Sequence, residues 1–170
     1  MVAMSEKLKS FWRGQGIKLC PGASEEEIRH FETKYAVQLP EDFRQYLGSM
    51  NGFDGSEYWM ADDNLITFLS LDEIKPLNEY WSPKVANARD FFVFADYSIS
   101  AHVYAIRLRN AETDQNQVVV VYEELIEVAR SFSEFIEQYL RRMDVVLFPS
   151  PRQNGVSQNE KSKRPESRTG

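Results

Sequence analysis

Few side chains in this sequence have the chemistry of a nucleophile or a metal ligand. It has one cysteine, Cys20, and two histidines, His30 and His102. Neither histidine lies in an H-x-x-H or Cys/His spacing, so no metal site is expected. Cys20 follows Leu19 and precedes Pro21, and it has no sequence neighbour that would lower the pKa of its thiol. A buried or incidental thiol is therefore the expectation.

The carboxylates also lack a catalytic or metal-binding pattern. Asp62 and Asp63 have neither the glycine nor the distal glutamate of a calcium loop, which favours a solvated turn. Glu123 and Glu124 adjoin a predicted strand end, where neighbouring side chains point in opposite directions. The chain contains no G-x-S-x-G, G-x-G-x-x-G or P-loop motif. The sequence thus predicts no enzyme activity and no cofactor, although a site assembled from scattered residues stays open as a weaker alternative.

Recognition of another protein is the remaining chemistry that the side chains support. Aromatic residues alternate with carboxylates in and beside predicted turns and loops. Aromatic rings bury large areas at low entropic cost, and carboxylates steer a basic partner and align it. For each ring the alternative is a place in the core, and for each acid it is plain solvation. The predicted partner-binding residues are Asp54, Glu57, Tyr58, Trp59, Asp62, Asp63, Tyr80, Trp81, Asp96 and Tyr97.

Length and composition predict one intracellular domain. At 170 residues, 42% of them hydrophobic, the chain suits a single core. A single cysteine excludes an internal disulfide and agrees with a reducing compartment. The N-terminus lacks the apolar run of a signal peptide, and the longest apolar run, Val118 to Tyr122, is too short to span a bilayer. We therefore expect a cytoplasmic protein with no membrane insertion.

Charge is unevenly distributed along the chain. Residues 1–150 carry 15 Lys and Arg against 24 Asp and Glu, a net charge of −9, whereas the last twenty residues carry +3. An acidic body repels nucleic acid and attracts a basic protein, and the alternative is that the charge serves only solubility. The tail after Phe148 has Val156 as its one aliphatic residue and is predicted to be disordered. It would be inert, or it would contact RNA, an acidic membrane or the acidic body.

One stretch, Leu39 to Phe53, predicts a sharply bounded helix. Pro40 suits the first turn, and an apolar stripe follows at spacings of three and four residues. Asn51 and Gly52 tolerate a left-handed conformation and would end the helix. The stripe consists of Phe43, Tyr46, Leu47 and Met50.

The other elements predict an α+β fold. Amphipathic helices are expected at Met4 to Arg13, after a capping box at Ser24 and Glu27, and from Ser131 with Glu134 as capping partner. A third capping box, at Ser70 and Glu73, predicts a short helical turn, and residues 75–89 are expected to form a loop with partial helix. About five mainly antiparallel strands lie between the helices. The predicted strand segments are residues 58–60, 65–69, 91–95, 102–108 and 117–122, the first two as a hairpin.

The order of these motifs resembles the SUKH superfamily, the Smi/Knr-like group of bacterial toxin-immunity proteins and fungal cell-wall-assembly regulators. Two further blocks, Leu65 to Ile74 and Val128 to Leu140, occur in the family's order, so the resemblance covers roughly residues 17–141. The matching residues of the first block are Pro21, Gly22, Ser24, Glu27, Ile28, Phe31, Glu32, Leu39, Pro40, Asp42, Phe43, Leu47, Asn51 and Gly52.

The resemblance implies a SUKH-like single domain over residues 17–148. Residues 1–16 are expected to form a helix packed on it, and residues 149–170 a disordered basic tail. It also implies a non-enzymatic immunity protein that blocks a toxin domain, often a basic nuclease, by direct binding. A regulatory scaffold with several partners is the alternative. A homodimer that covers part of the aromatic surface is left open.

Overall fold

The structure is a computed structural model that describes residues 2–55, 60–80, 85, 87–109 and 116–141. Within these ranges the chain forms five α-helices, a short 3-10 helix and six β-strands. The helices are α1 (Val2–Gly14), α2 (Glu25–Tyr35), α3 (Glu41–Ser49), α4 (Leu77–Tyr80) and α5 (Phe132–Arg141), and Ala88–Asp90 is the 3-10 helix. The strands are β1 (Ile66–Phe68), β2 (Lys75–Pro76), β3 (Phe91–Tyr97), β4 (His102–Arg107), β5 (Val118–Val121) and β6 (Leu125–Ala129).

One antiparallel sheet contains all six strands. Its order is β1-β3-β4-β5-β6, and β2 also pairs with β3. Both β1 and β2 pair with β3, which has β4 on its other side. The predicted α+β class, with helices at the start and end of a mainly antiparallel sheet, is confirmed, and the sheet has six strands where about five were expected.

The apolar stripe of α3 packs against α5, as the sequence predicts. Phe43 and Leu47 are fully buried, and the ring of Phe43 lies 4.7 Å from that of Phe132. The carboxylate of Asp42 accepts a hydrogen bond from the backbone N–H of Ser133 at 2.7 Å, which helps to cap the first turn of α5. α3 ends at Ser49, slightly before the predicted stop.

The predicted capping box of α2 is present. The N–H of Glu27 donates to Ser24 Oγ at 3.2 Å, and the N–H of Ser24 donates to Glu27 Oε2 at 2.7 Å. Half of the box at α5 forms, since the N–H of Glu134 donates to Ser131 Oγ at 3.1 Å. The Glu134 carboxylate instead accepts from the N–H of Arg130 at 2.7 Å.

Glu32 joins α2 to the chain that follows it. Its Oε1 accepts hydrogen bonds from the N–H of Leu39 at 2.9 Å and from Arg44 Nη1 at 2.8 Å. The carboxylate therefore ties α2 to the turn before α3 and to α3 itself. Arg44 also pairs with Glu25, so one guanidinium holds two carboxylates of α2.

A buried polar chain joins α1, α5 and the turn before β1. Trp12 Nε1 donates to the hydroxyl of Tyr139 at 2.6 Å, and that hydroxyl donates to Asp62. The other Asp62 oxygen accepts from the N–H of Asn64 at 2.9 Å and of Ile66 at 2.8 Å. Asp62 is only 3% exposed, so the expectation of a solvated side chain there was wrong. Its carboxylate organises the turn and fixes both helices.

Gly52 sits where no side chain fits. Its φ is +74°, and a Cβ atom there would lie 2.5 Å from the backbone carbonyl oxygen of Leu69. The neighbouring Asn51 side chain accepts from the N–H of Leu71 at 2.7 Å, which holds the segment after β1 against this position. The N-G pair thus joins the end of α3 to the loop at residues 69–74.

We expect Gly52→Ala to lower the free energy of unfolding by about 2 kcal/mol or more, because the new Cβ must displace backbone and the left-handed φ is strained. Urea unfolding measures this loss. Gly14→Ala is the matched control, since nothing lies within 4 Å of its Cβ position. Equal stability of the two variants would contradict the described packing at Gly52.

Candidate protein-binding site

A groove of about 500 Å³ lies between β1, the segment after it and the turn from β3 to β4. We call it the β1 groove. Phe53, Phe68 and Leu69 form its apolar floor, and they are buried. The residues on its rim are Gly55, Met60, Ala61, Leu65, Thr67, Glu73, Tyr80, Asp96, Ser98, Ile99 and Ser100.

The structure brings some of the predicted partner-binding residues to this groove. Tyr80 and Asp96 line it directly. Gly55 and Met60 also line it, and they flank the segment 56–59 in the sequence. Four of the predicted residues lie outside the described ranges: Glu57, Tyr58, Trp59 and Trp81.

Tyr80 and Asp96 form a hydrogen-bonded pair on the groove wall. The Tyr80 hydroxyl donates to Asp96 Oδ2 at 3.0 Å. Burial, and then the charge of Asp96, raises the pKa of Tyr80 to about 12. The Asp96 carboxylate also accepts from the N–H of Ser100 at 2.8 Å and from its Oγ at 2.7 Å. The wall is therefore a fixed carboxylate beside an aromatic ring.

Carboxylates continue from this wall across the turn after β1. Burial raises the pKa of the Cys20 thiol, and the negative charges of Asp54, Glu73 and Asp72 raise it further. Asp72 and Glu73 are exposed, whereas Asp54 and Asp96 are half-buried. We name Asp54, Asp72, Glu73 and Asp96 the acidic ridge.

Most of the acidic ridge lacks a compensating cation. In the described ranges, no Lys or Arg nitrogen lies within 4.0 Å of a carboxylate oxygen of Asp72, Glu73 or Asp96. One cation lies at the Tyr80 ring: the Nζ of Lys75 is 5.3 Å from the centre of that ring. The ridge is thus a negative surface that a basic partner could neutralise.

The remaining predicted residues have different surroundings. Asp62 is buried in the polar chain from Trp12, so it is not accessible to a partner. Asp63 is exposed, and its N–H donates to Gln15 Oε1 at 2.7 Å. Tyr97 is half-buried and stacks on His102, with 4.3 Å between the ring centres. These three residues are not part of the groove wall.

Sequence reasoning missed four residues of this surface. Asp72 and Glu73 lie in the segment SLDE, where Glu73 was recognised only as a capping residue. Leu65 and Ile99 are the exposed large hydrophobic residues of the described ranges. Ile99 stands between two serines in a predicted turn, and an isolated aliphatic residue there was the available signal.

A second groove, of about 640 Å³, runs along α2 and is lined on its other side by Asn51, Leu71, Asp72 and Ile74. Phe31, Leu71 and Ile74 form its apolar base. Its rim is charged, with Glu26, Glu27 and Lys34 on α2. We call it the α2 groove, and Asp72 belongs both to its lining and to the acidic ridge.

Burial of His102 makes stability depend on pH. Burial lowers the pKa of His102 from its usual value of 6.5, and its ring packs against Tyr97, Tyr104 and Tyr122. The unfolded chain therefore binds a proton more readily than the folded one. The stabilisation is present above pH 6.5 and is lost as pH falls towards the lower folded-state pKa.

We expect the free energy of unfolding to fall between pH 7.5 and 5.5, and His102→Gln to flatten that dependence. Urea unfolding at the two pH values measures both. The Ser24 hydrogen bonds lower the pKa of Glu27 from its usual value of 4.5. Protonation of Glu27 therefore affects stability below pH 4.5 and not between pH 7.5 and 5.5. An equally steep dependence in His102→Gln would contradict the assignment.

No group of three or more His, Cys, Asp or Glu side chains within the described ranges is placed to hold a metal ion. The same part of the chain contains no helix that is long and apolar enough to cross a membrane. The β1 groove offers carboxylates, an aromatic ring and apolar surface.

The fold is a small α+β domain with two surface grooves beside the acidic ridge. The family model of SMI1 / KNR4 (SUKH-1) matches residues 22–138, and the chain belongs to this family. Among curated proteins, no match to the sequence was found. The matched region contains β1, the acidic ridge and both grooves.

Proposed function

We propose that this chain is a non-enzymatic, cytoplasmic binding protein that neutralises a cognate toxin domain by direct contact. The observation that carries the proposal is the group of carboxylates Asp72, Glu73 and Asp96 beside an apolar groove, which have no Lys or Arg ion pair among the described residues. Immunity proteins of the SUKH superfamily are the functional class that such a surface suits best. The toxin domain would be basic, as a nuclease surface that binds nucleic acid is.

Charge supports this choice of partner. A cluster of carboxylates attracts a cationic surface over about 8 to 10 Å at moderate salt, which raises the rate of encounter. The apolar floor and the Tyr80 ring then supply area that can be buried once the two surfaces meet. Binding of this kind blocks a toxin by covering its surface, and it needs no turnover.

A regulatory scaffold is the second candidate, and the α2 groove favours it. That groove gives the domain a second concave surface, so two partners could bind at once. The basic sequence after residue 150 could add a further contact. A scaffold would bind several partners with lower affinity than an immunity protein binds its toxin.

Affinity capture with the full chain distinguishes the two candidates. The full chain and a variant that ends at residue 149 are used as baits at low and high salt. The retained proteins are identified and their molar ratio to the bait is measured. The immunity proposal predicts one basic partner at a ratio of one to one, held more tightly at low salt and retained by the shortened variant. Several partners that are lost with the tail would support the scaffold.

A further inference from the structure

Two large apolar side chains are exposed at the rim of the β1 groove. Leu65 is 52% exposed and Ile99 is 70% exposed. They come from different parts of the chain and line the same groove, where the N–H of Ser98 donates to the carbonyl oxygen of Leu65 at 2.9 Å. A hydrophobic pair of this size on a groove rim, beside polar walls, is typical of a contact surface.

The backbone at this pair is unfavourable for the residues it carries. Leu65 has φ +63°, and Ser98, Ile99 and Ser100 have φ +46°, +61° and +60°. Glycine or asparagine is the usual residue in the left-handed region, and a β-branched residue there is a strong outlier. Local bonds hold the turn in place, among them the one from Ala101 N to Tyr97 O at 3.0 Å.

Backbone strain is informative about function when the strained residue exposes its side chain to solvent. Glycine or asparagine at position 99 would relieve the backbone strain, and serine would remove the exposed apolar side chain. Each of these residues would still connect β3 to β4. The isoleucine contributes little to the core, because most of its surface faces solvent. Strained positions concentrate where a side chain must be held for contact with a ligand or partner.

The wall of the same groove is acidic. Asp96 forms its hydrogen bonds to Ser100 and Tyr80, and Glu73 lies near enough to Tyr80 to raise the pKa of its hydroxyl. The Tyr80 ring already accepts one cation, Lys75. An apolar rim and an anionic, aromatic wall therefore occur within one groove of about 500 Å³.

We propose that Leu65 and Ile99 form the hydrophobic anchor of this surface, and that the groove receives a segment of the partner in which an apolar side chain adjoins a lysine or arginine. The apolar side chain packs on Leu65 and Ile99, and the cation binds Asp96 and Glu73. This assignment rests on the proposed function, because it specifies which part of a basic protein is bound.

Peptide probes test the assignment without the natural partner. Three blocked hexapeptides are used at up to about 1 mM, the range of weak fragment binding. One alternates leucine and lysine, one leucine and glutamate, and one glycine and lysine. We expect the leucine-lysine peptide alone to shift the backbone amide signals of Leu65, Asp96 and Ile99 in the full chain.

Variants at the turn separate the anchor from the strain. Ile99→Gly should weaken the leucine-lysine peptide about tenfold, as loss of a central apolar contact does, and should raise the urea midpoint of unfolding. Ser98→Gly is the matched control, because it relieves similar strain and keeps the anchor. It should raise the midpoint and leave peptide affinity unchanged.

Equal peptide affinity of Ile99→Gly and the unchanged chain would overturn the anchor, as would signal shifts confined to the α2 groove. Capture of one basic partner at a ratio of one to one that binds Ile99→Gly as tightly as the unchanged chain would also overturn the anchor. The proposed function would then remain intact. Failure to capture one basic partner, with the peptide still bound at Ile99, would overturn the toxin-neutralising role and leave the groove's preference standing.

Discussion

Combined Asp72→Lys and Glu73→Lys substitution is expected to weaken binding of the basic partner by about 100-fold, because it replaces attraction by repulsion at the exposed part of the acidic ridge. Both side chains are exposed, so the fold should survive. The loss should appear largely in the association rate at low salt, and raising the salt should reduce the difference from the unchanged chain. Surface-immobilised binding at several salt concentrations measures it.

The control for this variant is Glu123→Lys with Glu124→Lys. These two residues are exposed in the turn between β5 and β6, and their reversal changes the net charge by the same amount. We expect the control to retain near-normal affinity. If both variants lose affinity equally, net charge rather than the acidic ridge steers the partner. Urea unfolding of each variant excludes loss of structure as the cause.

Phe43→Ala should lower the free energy of unfolding by about 3 to 5 kcal/mol, as large-to-small changes of buried aromatic residues do. Phe43 is fully buried, and its ring packs against Phe132, Tyr46 and Phe94 at centre distances of 4.7, 6.0 and 5.9 Å. The change therefore opens a cavity between α3, α5 and the sheet. Urea unfolding gives the loss directly.

Gln45→Ala on the same helix is the control for Phe43→Ala. Gln45 is exposed and its side-chain amide donates to Glu41 one turn earlier, so its loss should be below about 0.5 kcal/mol. A loss below about 1 kcal/mol for Phe43→Ala would show that the stripe of α3 does not pack as described.

Local signals in the sequence predicted the helices well. The apolar stripe of α3 and the capping box at Ser24 and Glu27 depend on residues three or four apart, and both occur as expected. Spacing within one helix is a property of the local chain, so no tertiary information is needed. The same holds for β3, β4 and β5, whose apolar runs are flanked by polar turns.

Two strands were missed for identifiable reasons. The turn between β5 and β6 is Tyr122 to Glu124, which contains no glycine, proline, asparagine or aspartate to indicate a hairpin. β2 is two residues long and includes Pro76, a residue that a strand pattern excludes except at an edge. The partner of β1 was also missed, because pairing with β3 joins segments about thirty residues apart.

The candidate site depends mainly on such long-range contacts. Asp62 looks like a solvated turn residue until Tyr139, 77 residues away, is placed beside it. Charge reversal at Asp62 would therefore disrupt the core rather than a binding surface. Leu65 and Ile99 become one feature only after β1 and β3 pair. Tyr80 and Asp96 were predicted individually, but their hydrogen bond was not.

A stoichiometric titration of the partner's activity shows whether this domain blocks one basic partner through the acidic ridge, as we propose. The captured partner is mixed with increasing amounts of the full chain. We predict that one equivalent of the full chain inhibits the partner completely. The variant with Asp72→Lys and Glu73→Lys should need a large excess to reach the same inhibition. Unchanged partner activity at several equivalents of the bound, folded chain would contradict neutralisation and favour the scaffold.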